Sequence, residues 1–170
     1  MTAMVVYESM YGNTKAIAEA IGEGLASSGE VRVAEVGALV AEGATVGADI
    51  DLLVVGGPTH AFSMSRASTR ADALKKAPDA SVISSTGVRE WLDALTLPAG
   101  TRVAAFDTKV LKPNLPGAAC KAIEKELRRR GGRPVAKAHS FKVVGHTGLV
   151  DGETEGARAW GAELAAGLHA

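Results

Sequence analysis

The chain has 170 residues, 46% of them hydrophobic, enough to bury one sizeable core and consistent with a single domain spanning 1–170. Its 19 Lys and Arg balance its 19 Asp and Glu, and this neutrality argues against a general nucleic-acid or anionic-membrane surface, because such binding is driven by neutralising phosphates or headgroups. Cys120 is the only cysteine, so an intramolecular disulfide and the Cys-rich zinc motifs are excluded; with no signal-like leader and no long apolar run, the expectation is a soluble, cytoplasmic protein without membrane insertion.

Strand-like and helix-like periods alternate along the chain, the pattern of βαβ units on a parallel sheet. Ala3–Glu8 reads as a first, apolar strand. Ile17, Ile21 and Leu25 then recur at helical spacing after Thr14, and Ser27-Ser28-Gly29 closes that helix. Val31–Val36 alternates as a second strand, and Asp51–Gly57 carries the continuous run Leu52–Val55 of a strand buried on both faces. A long connection follows from Pro58 to Gly87, with a short basic helix at Ala67–Ala77 that Pro78 ends. Because α/β connections usually span only about 2–6 residues, this insertion at about 58–87 suggests a lid or docking element, the alternative being a peripheral or disordered insertion. Val88–Leu95 is a helix with Trp91, Leu92 and Leu95 inward, and Arg102–Asp107 is a fourth strand. Ala118–Arg130 is an amphipathic helix stopped by Gly131-Gly132, and Val135–Val144 is a fifth strand. The last helix, about Thr154–Leu168, places Ala157, Trp160, Gly161, Leu164 and Leu168 on one face.

Five strands interleaved with helices leave two common doubly wound orders, and in either the ligand lies beyond the carboxyl ends of the strands, at the switch point. Attention therefore falls on the segments leaving strands one, three and four. The first, Ser9-Met10-Tyr11-Gly12-Asn13-Thr14, offers hydroxyls and free backbone N–H groups at a helix N-terminus, a site suited to phosphate. It lacks the Gly-x-Gly-x-x-Gly spacing of a dinucleotide fingerprint and the Gly-Lys-Ser/Thr of a triphosphate loop. The alternative is an ordinary capped turn with Thr14 as N-cap. His139, His146 and His169 show no ligand spacing, so surface or loop roles are expected for them, and no metal site is expected. Trp91 and Trp160 are expected in the core, and Cys120 as a buried, inert thiol.

Tyr7-Glu8-Ser9-Met10-Tyr11-Gly12-Asn13-Thr14 resembles the phosphate signature of the flavodoxin-like family, which includes the flavodoxin-type FMN-binding domain of nitric oxide synthase. Gly57-Pro58-Thr59-His60 looks like that family's second, ring-flanking loop, Phe106-Asp107-Thr108-Lys109 stands where its third loop leaves strand four, and the tail through Trp160-Gly161 is similar too. The resemblance implies an α/β fold with a doubly wound five-stranded parallel sheet in the order 2-1-3-4-5, a flavodoxin-like three-layer sandwich. It implies FMN as cofactor, with Ser9, Met10, Tyr11, Gly12, Asn13 and Thr14 around the ribityl phosphate. Pro58, Thr59, His60, Ala61 and Phe62 would then lie against the ring, with Asp107, Thr108 and Lys109 near its pyrimidine side. Flavodoxins stack the ring on a Trp and a Tyr, whereas this chain offers only His60 and Phe62 in the second segment and no aromatic in the third.

The function so implied is an FMN-binding electron carrier that works with a redox partner protein, a reductase or an acceptor, and needs no catalytic residue of its own. Two alternatives stand beside it. One is an FMN-dependent oxidoreductase that reduces a quinone or porphyrinogen-type substrate; the other is a flavodoxin-fold binding module that has lost its flavin.

Overall fold

The computed structural model describes residues 1–78, 83–146 and 148–169. Its strands are β1 (Thr2–Tyr7), β2 (Glu30–Glu35), β3 (Leu52–His60), β4 (Ser63–Met64), β5 (Arg102–Val110), β6 (Arg133–Pro134), β7 (His139–Val144) and β8 (Gly148–Leu149). Its helices are α1 (Asn13–Leu25), α2 (Val36–Ala41), α3 (Ala67–Lys76), α4 (Val88–Ala94), α5 (Ala119–Arg129) and α6 (Glu153–His169). The main path through the sheet is β2-β1-β3-β5-β7-β8, and the ladders joining β2, β1, β3, β5 and β7 are all parallel. These long strands stand in the order expected for a doubly wound, flavodoxin-like sheet. Two-residue strands decorate the carboxyl edge: β4 folds back antiparallel on β3, and β8 does so on β7.

Period-two alternation builds the three layers. Ala3, Val5, Leu52, Val54, Ala104 and Phe106 face α1 and α6, packing on Ile17, Ile21, Trp160 and Leu164. Met4, Val6, Leu53, Val55, Val103 and Ala105 face the other way, onto α2, α4 and α5 through Leu39, Trp91, Leu92, Ile123 and Leu127. Both tryptophans are buried, as is Cys120, whose thiol burial pushes up to about 12.

Three features depart from the sequence reading. Pro58, Thr59 and His60, expected in a loop, continue β3, while Thr108, Lys109 and Val110 continue β5; the parallel ladder persists through Gly57↔Asp107 and Pro58↔Thr108. The strand expected over Val135–Val144 is interrupted. Pro134 pairs with Val103 and His139 with Phe106, so the outer strand has extra residues to absorb, and Ala138 N–H leaves the ladder for Glu124 Oε2 at 3.2 Å. Finally, α2 forms where the sequence offers no Ser, Thr, Asp or Asn cap. Its N-cap is Glu35, whose carboxylate accepts from Gly37 N–H at 2.8 Å and Ala38 N–H at 3.3 Å.

Helices α1 and α6 approach backbone to backbone. A Cβ on Gly161 would come within 2.3 Å of the Ile21 carbonyl oxygen, and one on Gly24 within 2.1 Å of the Arg158 carbonyl oxygen. Gly161→Ala should therefore destabilise the protein by about 1–3 kcal/mol through overpacking, although helix propensity alone would favour Ala by about 1 kcal/mol. Thermal unfolding reads the sign: a lowered Tm is expected, and a raised one would mean that the two helices do not meet at this point.

Candidate functional site

The carboxyl ends of β1, β3, β5 and β7 open into a cleft of about 490 Å³, lined among others by Ser9, Met10, Tyr11, Asn13, Thr14, Pro58, Thr59, His60, Ala61 and Thr108. The volume lies within the range of small-molecule sites, about 300–1,000 Å³. Ten of the fourteen residues singled out in the sequence thus meet on one surface.

Between β1 and α1 the chain turns at Gly12, the N-cap of α1, whose φ of 105° is a left-handed value that glycine takes without strain. Ser9 fixes the turn by accepting Gly12 N–H at 3.0 Å. Thr14 is therefore not the N-cap; it lies inside the first helical turn. Its hydroxyl is buried and shares a 2.7 Å hydrogen bond with Thr108 across the floor of the cleft. The first-turn N–H groups of Asn13, Thr14 and Lys15 precede the first intrahelical bond, Ala16 N–H to Gly12 O, and have no acceptor among the described residues. They are what an anion would satisfy.

Strand alternation sorts the third segment. Thr108 and Val110 line the cleft, whereas Asp107 and Lys109 point to the other face. Asp107 is fully buried and accepts Cys120 N–H at 2.9 Å and the Thr59 hydroxyl at 3.0 Å, so it serves the N-terminus of α5. Lys109 Nζ donates to the carbonyls of Leu115 and Gly117 and pins the turn after β5. Phe62 lies outside the cleft lining and is 53% exposed, in a tight turn where Ala61 and Phe62 both have positive φ, 45° and 72°.

The structure adds residues that were not anticipated. Thr69, Asp72, Ala73 and Lys76 form one face of α3 and wall the cleft, and Val143, Gly145 and His146 close it from the end of β7. Helical spacing of 69, 72, 73 and 76 was the available signal for α3; nothing in the sequence marks His146. The walls are tied to the first segment: Tyr11 Oη donates to Ala73 O at 2.6 Å, its ring meets the His146 ring edge-on at 5.5 Å, and Asn13 Nδ2 donates to His146 O at 3.1 Å. His60 shares a 3.3 Å hydrogen bond with Thr69, and burial, aided by the Arg70 charge, holds its imidazole below the usual histidine range. Residues 79–82 of the long connection lie outside the described residues, as does the His169 side chain. Among the described residues no cluster of His, Cys, Asp or Glu could hold a metal ion, and no helix is long and apolar enough to cross a membrane.

Comparison with known proteins places this geometry. The family model for flavodoxin matches residues 5–76, the segment that contains both the first turn and the end of β3. A flavodoxin from the domain Archaea superposes with a TM-score of 0.66 at 22% identity, covering 100% of each chain. Flavodoxin 1 from Bacillus cereus gives 0.67 at 18% identity over 96% of this chain and 97% of that one. A flavodoxin, WrbA-like protein from Agrobacterium tumefaciens gives 0.62 at 20% identity over 99% and 97%. None of the curated proteins compared matches in sequence.

Beneath the cleft lies a buried carboxyl group. Glu8, 1% exposed, accepts Val88 N–H at 2.9 Å and meets the Ser65 hydroxyl, which in turn accepts from Arg70 at 2.8 Å. Burial raises the Glu8 pKa above its ordinary value against the lowering influence of these partners. With the folded value above the unfolded one, the contribution of Glu8 to stability is complete below the ordinary carboxylate range and is lost as pH rises through the folded value. Glu8→Gln keeps both contacts, its amide N–H donating to Ser65 and its carbonyl accepting from Val88. Urea unfolding across a pH series should show the variant gaining on the parent as pH rises above about 4.3, the unperturbed glutamate value; a difference independent of pH would contradict a raised Glu8.

Proposed function

We propose that this flavodoxin-like chain binds FMN in the carboxyl-edge cleft and serves as an electron carrier. The observation that supports this most is the convergence, on one cleft, of first-turn N–H groups that have no acceptor among the described residues, the Thr14 and Thr108 hydroxyls, and the Pro58–Ala61 segment. The donor set suits a terminal phosphate: N–H and O–H groups at the positive end of a helix dipole. A dinucleotide would have to carry a second phosphate, for which no glycine fingerprint is present.

In this reading the turn Ser9–Thr14 binds the ribityl phosphate, Ser9 keeps Gly12 in place, and Tyr11 and Asn13 hold α3 and the β7 end around the site. Pro58, Thr59, His60 and Ala61 flank the ring, and Thr108 and Val110 supply the aliphatic and hydroxyl surface that replaces a second aromatic. Asp107 and Lys109 act from behind, one on α5 and one on the turn after β5. FMN supplies a ring that accepts and returns electrons, while the protein supplies binding, orientation and shielding from water. A second reading draws on the α3 wall: Thr69, Asp72 and Lys76 beside His60 could shape a pocket for a quinone or porphyrinogen-type substrate of an FMN-dependent reductase. Rapid NAD(P)H oxidation with added quinone selects that enzyme; reduction only through a separate reductase selects the carrier.

Titration with FMN and with riboflavin, followed by flavin fluorescence, tests phosphate recognition. FMN should bind at least tenfold more tightly, a difference of about 1.4 kcal/mol; equal affinities would remove the phosphate site. Thr14→Val should weaken FMN by about 1–3 kcal/mol and leave riboflavin unchanged. At the ring, His60→Ala should lower affinity and shift the flavin spectrum, whereas Phe62→Ala should do neither, since Phe62 lies outside the cleft lining. The reverse pattern would mean that the ring sits on the turn and not inside the cleft.

A further inference from the structure

We infer that Ser84, on the limb of the long connection that leads into α4, is a positioning residue that holds the Ser9–Thr14 turn in its anion-binding form; this rests on the FMN reading above. Ser84 is 1% exposed and does not line the cleft. What it holds is Ser9, which is fully buried. The Ser84 hydroxyl accepts Ser9 N–H at 3.0 Å, and Ser84 N–H donates to Ser9 O at 2.9 Å. Both backbone groups of Ser9 therefore end on one residue 75 positions further along the chain. Beside it, Ile83 N–H donates to Met10 O at 3.2 Å, and the Ile83 side chain reaches the turn, where a Cβ on Gly12 would stand 3.9 Å from its Cδ1.

These bonds act on an anion in two ways. The carbonyl oxygens of Ser9 and Met10 carry partial negative charge that would oppose a phosphate, and both are committed to residues outside the cleft lining. The second effect is order. Ser9 Oγ accepts Gly12 N–H at 3.0 Å and Gly12 caps α1 at its left-handed φ of 105°, so the constraint runs from Ser84 through Ser9 and Gly12 to the first-turn N–H groups. A turn fixed before the ligand arrives costs no ordering at binding, and the gain falls on the ligand group that the turn itself holds. Without the Ser84 hydroxyl, Ser9 N–H is left buried with no acceptor, and the turn must shift or admit water to satisfy it. The coupling is reciprocal: an anion that tightens the turn also tightens the limb that carries Ser84.

The test titrates wild type and Ser84→Ala with FMN and with riboflavin, and follows amide hydrogen exchange in the free and bound chains. In wild type, FMN should slow exchange of the Ile83 and Ser84 amides and riboflavin should not, a comparison that needs no variant. Ser84→Ala should weaken FMN about tenfold or more and change riboflavin by less than about twofold. In the ligand-free chain it should speed exchange at Ser9 and Gly12 while the amides of β3 and β5 keep their wild-type rates. Three results would overturn the assignment: a variant that keeps the wild-type ratio of FMN to riboflavin affinity, equal weakening of both ligands, or equal protection of residues 83 and 84 by both. A wild type that does not prefer FMN to riboflavin contradicts the phosphate reading itself, and the role of Ser84 falls with it. A preference present in wild type and unchanged in Ser84→Ala removes the role of Ser84 alone.

Discussion

The carboxyl edge of this protein is governed by the point at which the sheet reverses direction. The crossover that leaves β1 through α1 returns to β2 on one side, while the one that leaves β3 returns to β5 on the other. With right-handed crossovers, α1 must then cover one face and α4 the opposite face. The segments after β1 and β3 consequently diverge, and a crevice opens between them whatever side chains they carry. The sequence decides what faces that crevice: a glycine that lets the chain turn, N–H groups at the start of α1 that find no acceptor among the described residues, and hydroxyls from α1 and β5 that meet across its floor.

The same divergence leaves polar groups below the crevice that water cannot reach. Glu8 at the end of β1 and Asp107 near the end of β5 are both buried, and each is placed against the N-terminus of a helix on the far face: Glu8 takes Val88 N–H at the start of α4, and Asp107 takes Cys120 N–H at the start of α5. Burying a carboxyl group costs several kcal/mol unless hydrogen bonds and countercharges replace its hydration. Glu8 obtains these from Ser65 and Arg70, which belong to the long connection after β3. The insertion is thus part of the sheet's own polar accounting, and its helix α3 is held where it can wall the cleft.

Most of this was legible in residue order. Helix spans came within a residue or two because Ile17/Ile21/Leu25 and Ile123/Leu127 carry strong helical spacing, and the strand order follows from the resemblance of the first segment. What escaped was tertiary. Thr59, His60, Thr108 and Lys109 look like loop residues in isolation, and only the continuing β3–β5 ladder makes them strand; once it does, alternation turns Thr108 into the cleft and Asp107 and Lys109 away. His146 and the cleft face of α3 could not be placed from sequence, since each reaches the site through contacts with Tyr11 and Asn13 that lie more than 60 residues away in the chain. Helix α2 was missed because a glutamate cap is a weaker start signal than Ser, Thr, Asp or Asn.

The central claim is that FMN occupies this crevice with its phosphate at the start of α1. The amide chemical-shift map of labelled protein, recorded before and after saturation with FMN, tests it most directly. The account predicts the largest shifts at Tyr11, Gly12, Asn13, Thr14 and Lys15, with a second group at Thr59, His60 and Ala61. Shifts confined to another surface, such as the groove between α5 and residues 134–138, or no shifts at all, would contradict it.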